Sequence, residues 1–298
     1  MAFDHRELQA FIAVCESGSL GRAASLANMS QPALSRLIQQ MERRFGHPLF
    51  DRHSKGMTPT TTGQALLPFA RLLLFEMEQA SEALNFLTGH SRGTVRVGAV
   101  SSVARDMLPG AMTKLLSQIP NIRVELLEST DRRLLDALVN REVDIVIAPD
   151  LPPHDDIMSV GRCDYKDEYV VFCSVTHPLA DAEPELDQLL TQSWLMTPPG
   201  TTPRYLFENL IHRAGRTTPK IDIETSAPGA LIAFVLHSEM LGWLPKPLIR
   251  AELEAGRVKL LPTPELVQRR SFFAYMRRRG SVPSPVRQLL RIITLPEG

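Results

Sequence analysis

The residues of this sequence best suited to chemistry are the amides, hydroxyls and arginines between Ser30 and Arg43. Gln and Arg can each make paired hydrogen bonds to base edges in DNA, and Ser and Arg also bind phosphates. At about 100° of rotation per helical residue, these polar side chains fall on one face. They are Gln31, Ser35, Arg36, Gln39, Gln40 and Arg43. With few carboxylates among them, this face suits the major groove of duplex DNA.

Helical spacing also predicts an apolar stripe on the opposite side of the same segment. Its members are Leu34, Leu37, Ile38, Met41 and Phe45. Ser30 is expected to cap the helix and Pro32 to lie in its first turn, where a missing N–H costs little. The helix should therefore begin near Gln31 and end at Gly46.

Two shorter helical patterns precede this segment. The nearer one follows Ser19, a potential cap, and carries small residues that allow close crossing, namely Ala23, Ala24 and Ala27. Residues 6–16 form the other, with Leu8, Phe11, Ile12 and Cys15 inside and Glu7, Gln9 and Glu16 outside. Together with the reading helix, this pattern is typical of a helix-turn-helix. A plain three-helix packing unit is the alternative.

Residues 47–60 predict a small hairpin wing, because two short extended pieces flank a polar tip that ends in glycine. Three basic side chains could contact phosphates from this wing: Arg52, His53 and Lys55.

Residues 62–88 form the longest helical pattern. Leu66, Ala70, Leu73, Met77, Ala80, Leu84 and Leu87 alternate spacings of four and three. This is the seam of a coiled coil, and it predicts a dimer whose paired reading helices match two DNA half-sites. Pro68 could kink the start of the helix. A single buried core helix is the alternative.

After a predicted hinge at residues 89–93, strand and helix patterns alternate, which indicates crossover units and a parallel sheet. The expected strands are 94–100, 122–127, 143–148, 168–174, 194–196, 220–224, 241–244, 257–261 and 271–276. The expected helices are 107–119, 132–140, 202–213, 227–237 and 285–293. We interpret this part as two α/β lobes.

Hydroxyl-rich loops follow several of these strands, at Ser101-Ser102, Ser129-Thr130, 197–202 and Thr225-Ser226. Ligands of open α/β sheets bind at such loops, where helix N-termini favour anions. Loops of this kind meeting in one cleft would favour a small carboxylate. Each one has a plain alternative as a helix cap.

Composition limits the possible functions. The 298 residues include 33 Lys and Arg and 33 Asp and Glu, so the formal net charge is zero and DNA binding must be local. The expected local surplus comprises Arg36, Arg43, Arg44, Arg52 and Lys55, opposed by Glu42 and Asp51. Three irregularly spaced cysteines make no disulfide framework, and no apolar run approaches the roughly 18 residues of a membrane span. We expect a cytoplasmic protein with no membrane role, cofactor or metal.

The order and spacing of many N-terminal residues resemble those of the LysR-type transcriptional regulators. The matching residues are Leu8, Phe11, Gly18-Ser19-Leu20, Ala23-Ala24, Leu26, residues 30–35, Ile38, Glu42, Phe45-Gly46, Leu49-Phe50, Arg52, Thr60 and Gly63. The resemblance covers the whole chain. It implies a winged helix-turn-helix, a long linker helix, and a two-lobed α/β effector domain similar to periplasmic solute-binding proteins.

The resemblance implies a bacterial regulator, a homodimer or homotetramer, that binds double-stranded promoter DNA and a small-molecule effector, an organic acid, in the cleft between lobes. RNA polymerase is a possible further partner. The implied domains are 1–62 for DNA binding, 63–89 for the dimerising linker helix, 90–93 for the hinge, and 94–298 for effector binding. Lobe I comprises 94–163 and 267–298, and lobe II comprises 164–266.

The family's site residues carry over to named positions. Those implied for DNA are Ser30, Gln31, Pro32, Ser35, Arg36, Gln39, Arg52 and His53. Those implied for the effector are Ser101, Ser102, Thr130, Thr197 and Thr202. The sequence departs from the family at Pro59, which puts the exit from the wing in question. It departs again at Ser238 and Met240, where glycines are usual, so the pocket near Trp243 is expected to differ.

Three other readings stay open. An enzyme is disfavoured, because the sequence has no Gly-rich phosphate loop, nucleophile elbow or zinc-ligand spacing. A thiol-switch regulator would use Cys163, activated by Arg162, together with Cys173. A solute-binding protein without a DNA role conflicts with residues 1–62. The late arginines, Arg269-Arg270 and 277–279, are interpreted as a solvated face.

Overall fold

Three short helices, a β-hairpin and a long helix make up the N-terminal part of the chain. Their bounds are α1 His5–Ser17, α2 Leu20–Leu26, α3 Gln31–Phe45, β1 Phe50–His53, β2 Gly56–Pro59 and α4 Thr61–Leu87. The predicted winged helix-turn-helix and long linker helix are therefore confirmed, and each element lies close to its expected position.

The structure, a computed structural model, describes residues 3–53, 56–87 and 93–296. Lys55 and, apart from Gly93, the predicted hinge lie outside the described residues. The chain divides into two compact units. The first comprises Met1–Gly93, Val139–Glu142 and Arg279–Pro283, and the second comprises Thr94–Leu138, Val143–Arg278 and Ser284–Gly298.

The apolar stripe of α3 forms the centre of the N-terminal core. Leu34, Ile38 and Met41 are fully buried, and they pack in one cluster with Leu8 and Phe11 of α1. Burial of such side chains contributes roughly 1.5–3 kcal/mol each. This stripe therefore fixes which side of α3 faces outward.

The helix caps predicted from the sequence are found at some helix ends and not at others. The Ser30 hydroxyl accepts a hydrogen bond from the Ala33 backbone N–H at 3.4 Å, and Gly46 closes α3 with a φ of 72°. Ser19 lies at the cap position of α2 but makes no side-chain cap hydrogen bond. The prediction of a hydroxyl cap is thus correct for α3 and wrong for α2.

Glu7 was expected on the outside of α1 and is instead buried. Its carboxylate accepts a hydrogen bond from the Asp4 backbone N–H at 3.1 Å, which completes a capping box. It also pairs with the Arg44 guanidinium at 2.7 Å. Arg44 is therefore neutralised and adds nothing to the positive surplus expected near the reading helix.

The wing is held against the helices by its backbone. Gly56, at the start of β2, has a φ of +134°, and a Cβ there would lie 2.3 Å from the carbonyl oxygen of Gly18. Only glycine fits so close an approach. From α3, the Glu42 carboxylate accepts hydrogen bonds from the backbone N–H groups of Leu49 and Phe50, at 2.9 and 3.2 Å. Pro59 ends β2 in register with Phe50, so the wing exits as an ordinary strand end.

The first part of the linker helix α4 packs against the helix-turn-helix, whereas side chains of its later part are exposed. It runs through Pro68 without interruption. Ala70 is fully buried in the core of the helix-turn-helix and Leu66 packs against the same core, so the seam prediction is wrong for Ala70. Leu73 and Met77 are 38% and 43% exposed. Ala80 and Leu84 are also exposed, as is Phe69, and the side chain of Leu87 lies outside the described part.

The second unit is built on one mixed sheet. Its strands are β3 Thr94–Ala99, β4 Arg123–Glu128, β5 Ile145–Ala148, β6 Ile157–Ser174, β7 Trp194–Met196, β8 Ile221–Glu224, β9 Leu241–Pro245, β10 Val258–Leu261 and β11 Gln268–Arg277. Its helices are α5 Leu108–Gln118, α6 Asp131–Val139, α7 Leu186–Leu190, α8 Thr202–Arg213, α9 Pro228–Leu236, α10 Arg250–Glu254 and α11 Ser284–Ile293. No helix among the described residues is long and apolar enough to cross a bilayer.

Two long antiparallel strands join the lobes. The strand order is β4-β3-β5-β11-β6-β9-β7-β8, and β10 also pairs with β6. The parallel strands β3, β4 and β5 belong to lobe I, and β7, β8 and β9 belong to lobe II. The strands β6 and β11 run through both lobes and pair from Tyr169 opposite Gln268 to Ile157 opposite Arg277. The sequence predicted only the C-terminal part of β6, because polar residues interrupt the rest.

Lobe II buries both faces of its sheet. Tyr169, Val171 and Cys173 pack into one core, while Val170 and Phe172 pack into another. Trp243 lies in the first core, where its ring stacks on that of Tyr169 with the two ring centres 4.0 Å apart. Trp243 is therefore a core side chain, 1% exposed.

Candidate DNA interface and effector site

The residues predicted to contact DNA lie together on the outer side of α3 and on the wing. Gln31, Pro32, Arg36 and Gln39 are exposed, as is the capping Ser30, and Ser35 is half-buried. The wing residues Arg52 and His53 are exposed on β1. The Arg36 side chain is exposed and donates from Nε to the Pro32 carbonyl oxygen at 3.3 Å. This surface can meet both base edges and phosphates.

The junction of the two lobes contains a buried ion pair. Arg270 on β11 donates from Nε and Nη2 to the two carboxylate oxygens of Asp167 on β6, at 2.7 and 2.5 Å. The side chain of Asp167 is fully buried and that of Arg270 is 10% exposed. Arg270 also donates to the Ser102 hydroxyl at 3.1 Å. A hydroxyl predicted to touch effector is thus fixed to the strands that join the lobes.

Aromatic rings enclose this arginine. The guanidinium lies 4.5 Å from the ring centre of Tyr169 and 5.1 Å from that of Phe272. Burial raises the pKa of Tyr169 to about 12, although the charge of Arg270 opposes this rise. The Tyr169 hydroxyl accepts a hydrogen bond from Nη1 of Arg270 at 3.5 Å.

Asp131 and Thr202 bring the two lobes into direct contact beside the ion pair. The carboxyl of Asp131, on α6 of lobe I, is buried beside the Thr202 hydroxyl of α8 in lobe II, which favours its ionised form. Burial raises the pKa of Asp131 above its ordinary value, while Thr202 and Arg270 act in the opposite direction. The N-termini of α6 and α8 thus lie close together near Arg270, and helix N-termini are groups that bind anions.

Family models match both parts of the chain. The helix-turn-helix model described as "Bacterial regulatory helix-turn-helix protein, lysR family" matches residues 5–64. The model described as "LysR substrate binding domain" matches residues 88–294, more than half of the chain. The chain belongs to the LysR family. It is a DNA-binding transcriptional regulator with an effector-binding domain.

Relatives of this LysR-family regulator are similar along nearly the whole chain. HTH-type transcriptional regulator GalR of Pseudomonas putida is 30% identical over 284 residues, which cover 95% of this chain and 71% of the relative. The SDS degradation transcriptional activation protein of a Pseudomonas species is 30% identical over 297 residues, covering 99% and 96%.

Solved structures share the fold. Full-length CbnR in complex with its target DNA has a TM-score of 0.67 at 19% identity, covering 98% of this chain and 99% of that one. Full-length OxyR from Pseudomonas aeruginosa has a TM-score of 0.69 at 18% identity, covering 98% of each.

The other predicted effector residues of this LysR regulator have mainly local roles. The Thr130 carbonyl oxygen accepts from the Leu134 N–H as α6 begins. The Thr197 hydroxyl accepts from the Thr201 hydroxyl at 2.9 Å. Ser101 is half-buried next to Ser102. The structure thus places Ser102 beside Arg270 and Thr202 beside Asp131, whereas the Thr197 hydroxyl bonds within its own loop.

Sequence reasoning missed the charged centre of the cleft. Arg270 was assigned to a solvated face and is buried, so that interpretation was wrong. Arg277 was also assigned to the solvated face, but its side chain is only 9% exposed. Its guanidinium donates to the carbonyl oxygens of Leu138 and Val143, at 3.0 and 2.5 Å. The available signal was alternation, since Arg270 shares its strand face with Phe272 and Ala274.

The thiols have the chemistry of buried side chains. Cys163 and Cys173 are buried, and burial raises the pKa of Cys163 to about 12 and that of Cys173 to about 11. Arg162, which the thiol-switch alternative would require to activate Cys163, donates instead to the Ser271 hydroxyl at 3.0 Å. These observations do not favour that alternative. The described residues contain no cluster of three or more side chains that could hold a metal ion.

Proposed function

We propose that this LysR-family chain reads promoter DNA through the outer face of α3 as a dimer or tetramer in the cytoplasm. A small-molecule effector, an organic acid, binds between the lobes and changes how the paired helices engage DNA. The chain acts by binding rather than by catalysis, with RNA polymerase as a possible partner. The carrying observation is that the buried stripe of Leu34, Ile38 and Met41 turns an amide and arginine face outward.

The DNA part of the proposal is tested with Arg36→Ala in the full chain. A base or phosphate contact is worth about 1–3 kcal/mol, so operator affinity should fall by roughly 5- to 150-fold. Arg6→Ala removes an exposed arginine from α1 of the same unit and serves as the control. Operator fragments selected from random DNA provide the binding assay. Equal affinity of the two variants would remove Arg36 from the interface.

The effector part rests on residues from both lobes that meet in one cluster. A ligand that inserts beside Ser102 touches lobe I and the joining strands, and one that reaches Thr202 touches lobe II as well. Such a ligand binds one arrangement of the lobes better than another, and by linkage it shifts their equilibrium. This differential affinity is what regulation requires.

The charges of Asp131, Asp167 and Arg270 limit how an acidic ligand can bind. Asp167 already neutralises Arg270, so the carboxylate of an acid effector would be held chiefly by hydroxyls and by helix N-termini. Ionised Asp131 would repel that carboxylate. Because burial raises the pKa of Asp131, we expect an acid effector to bind more tightly as the pH falls through that pKa.

A thermal-shift screen of small organic acids tests the effector proposal, because a bound ligand stabilises the folded chain in proportion to occupancy. An acid that stabilises the wild type should stabilise Ser102→Ala less, while operator binding without ligand stays unchanged. Ser117→Ala is the control, since that hydroxyl donates within its own helix to the Lys114 carbonyl oxygen. Equal stabilisation of both variants would place the ligand elsewhere.

A further inference from the structure

A second, basic groove lies against the strands that join the lobes. Its volume is about 650 Å³, within the range of small-ligand sites. Side chains of lobe I, of both joining strands and of the segment after β9 line it. Because side chains alternate along a strand, Lys166 and Glu168 lie on the opposite face of β6 from Asp167, which belongs to the buried pair. Asp167 and Arg270 also line the groove, so it adjoins the cluster around Ser102.

Each carboxylate lining this groove already has an arginine partner. The pairs are Asp106 with Arg250 at 2.6 Å, Asp167 with Arg270 at 2.5 Å, and Glu168 with Arg269 at 3.5 Å. These pairs cancel in charge. Whatever net charge the groove has must come from the cations that remain.

Three cations remain in the lining: Arg162, Lys166 and Lys246. None of them has a carboxylate partner within the part of the chain that the structure describes. Arg162 bonds only to the neutral Ser271 hydroxyl, and all three are exposed. Asp164 lies between Arg162 and Lys166 along β6 and lines a smaller neighbouring groove with both of them, so it offsets one of the three charges. The basic groove thus carries a surplus of positive charge with donors on two elements.

We propose that the basic groove binds a small polyanion, a molecule bearing phosphate or several carboxylates, beside the cluster around Ser102, with which it shares Arg270 and Asp167. Lysines bind phosphate as point charges, and an arginine offers a fork that matches phosphate or carboxylate. Two negative charges on the ligand would pair with Lys166 on β6 and with Lys246, which follows β9. The groove also contains the link between Asp106 of lobe I and Arg250 of lobe II, so a bound anion competes with Asp106 for that arginine. Occupancy of the groove therefore acts on the contact between the lobes.

Calorimetric titration of the full chain with inorganic pyrophosphate, at constant ionic strength, tests the proposal. Wild type should bind pyrophosphate at least tenfold more tightly than acetate, which has a single charge. The double variant Lys166→Gln with Lys246→Gln should weaken pyrophosphate binding at least tenfold. These lysines are exposed, so the fold should persist, and thermal unfolding checks this. A titration with citrate separates a carboxylate ligand from a phosphate ligand by which probe binds more tightly.

The matched control replaces two exposed lysines elsewhere in the same unit, Lys114→Gln with Lys220→Gln. It should leave pyrophosphate affinity within about twofold of wild type. Absence of binding by both pyrophosphate and citrate would overturn the proposal. So would unchanged affinity in the Lys166 and Lys246 variant, which would place the anion on another basic surface, or an equal loss in both double variants.

Discussion

Asp131, the first residue of α6, lies beside the hydroxyl of Thr202, the first residue of α8, and that hydroxyl favours the ionised carboxyl. The two helices belong to different lobes, and their N-termini carry partial positive charge. One carboxylate thus meets both helix ends and joins the lobes beside the Arg270 pair. A ligand that binds between Asp131 and Thr202 must displace their contact or bind to both residues.

Thr202→Val is expected to loosen the contact between the lobes. The change removes the hydroxyl that favours the ionised carboxyl of Asp131 and keeps a similar volume, and a polar contact of this kind is worth about 1 kcal/mol. Amide exchange in the first turns of α6 and α8 should therefore rise roughly fivefold. Thr113→Val, which removes a hydroxyl bonded only to the Pro109 carbonyl oxygen, should leave exchange there unchanged. Equal exchange in wild type and Thr202→Val would show that the link does not hold the lobes.

Asp131→Asn should raise stability at neutral pH and lose that advantage in acid. Burial raises the folded pKa of Asp131 above its ordinary value of 3.8, so the folded state binds this proton more tightly than the unfolded state. The stabilising contribution of that proton is complete below the ordinary pKa and is lost as pH rises through the raised one. Asparagine has no such dependence.

Urea unfolding at a series of pH values measures this difference. The free energy of unfolding of Asp131→Asn minus that of wild type should increase from about pH 4 upward. Asp136→Asn is the control, because its carboxyl is about half exposed and lies 4.0 Å from Arg132. A difference that stays flat with pH would mean that Asp131 has an ordinary pKa in the folded chain.

Arg270→Gln should be strongly destabilising, because it leaves the fully buried carboxylate of Asp167 without its cation. Breaking a buried pair in this way costs about 3–5 kcal/mol in the free energy of unfolding. Adding Asp167→Asn removes the stranded charge and should recover most of the loss. Chemical denaturation of the two single variants and the double variant tests this coupling. Additive losses would show that the two residues stabilise the fold independently.

The sequence predicts the DNA-binding unit well because its signals are local. The spacing of Leu34, Ile38 and Met41 defines the buried side of α3, and Ser30 and Gly46 define its ends. Each signal lies within a few turns of the residue that it positions. In the second unit, short apolar strands such as β7, Trp194–Met196, are predicted for the same reason.

The charged centre of the cleft depends on contacts far apart in the chain. Arg270 meets Asp167 and Ser102 only because β11 returns beside β6 and because β3 leads into the same junction. In the sequence, Arg270 belongs to a basic pair, which is typical of a surface. Likewise, Glu7 looked exposed by helical spacing, but Arg44, which pairs with it, lies 37 positions later. Local periodicity carries no information about such partners.

Substitutions in the linker helix α4 test directly whether this helix forms the dimer. Ala70 belongs to the core of its own unit, so a partner helix would have to meet the later part of α4. There, Leu73 and Met77 lie one turn apart and are 38% and 43% exposed. Leu73→Glu puts a charge into this apolar stripe and should weaken self-association by roughly tenfold or more, because charged residues are depleted from interface cores. Leu26→Glu, on exposed α2, should assemble like wild type in sedimentation velocity. If both variants kept the wild-type mass, α4 would not be the dimerising element.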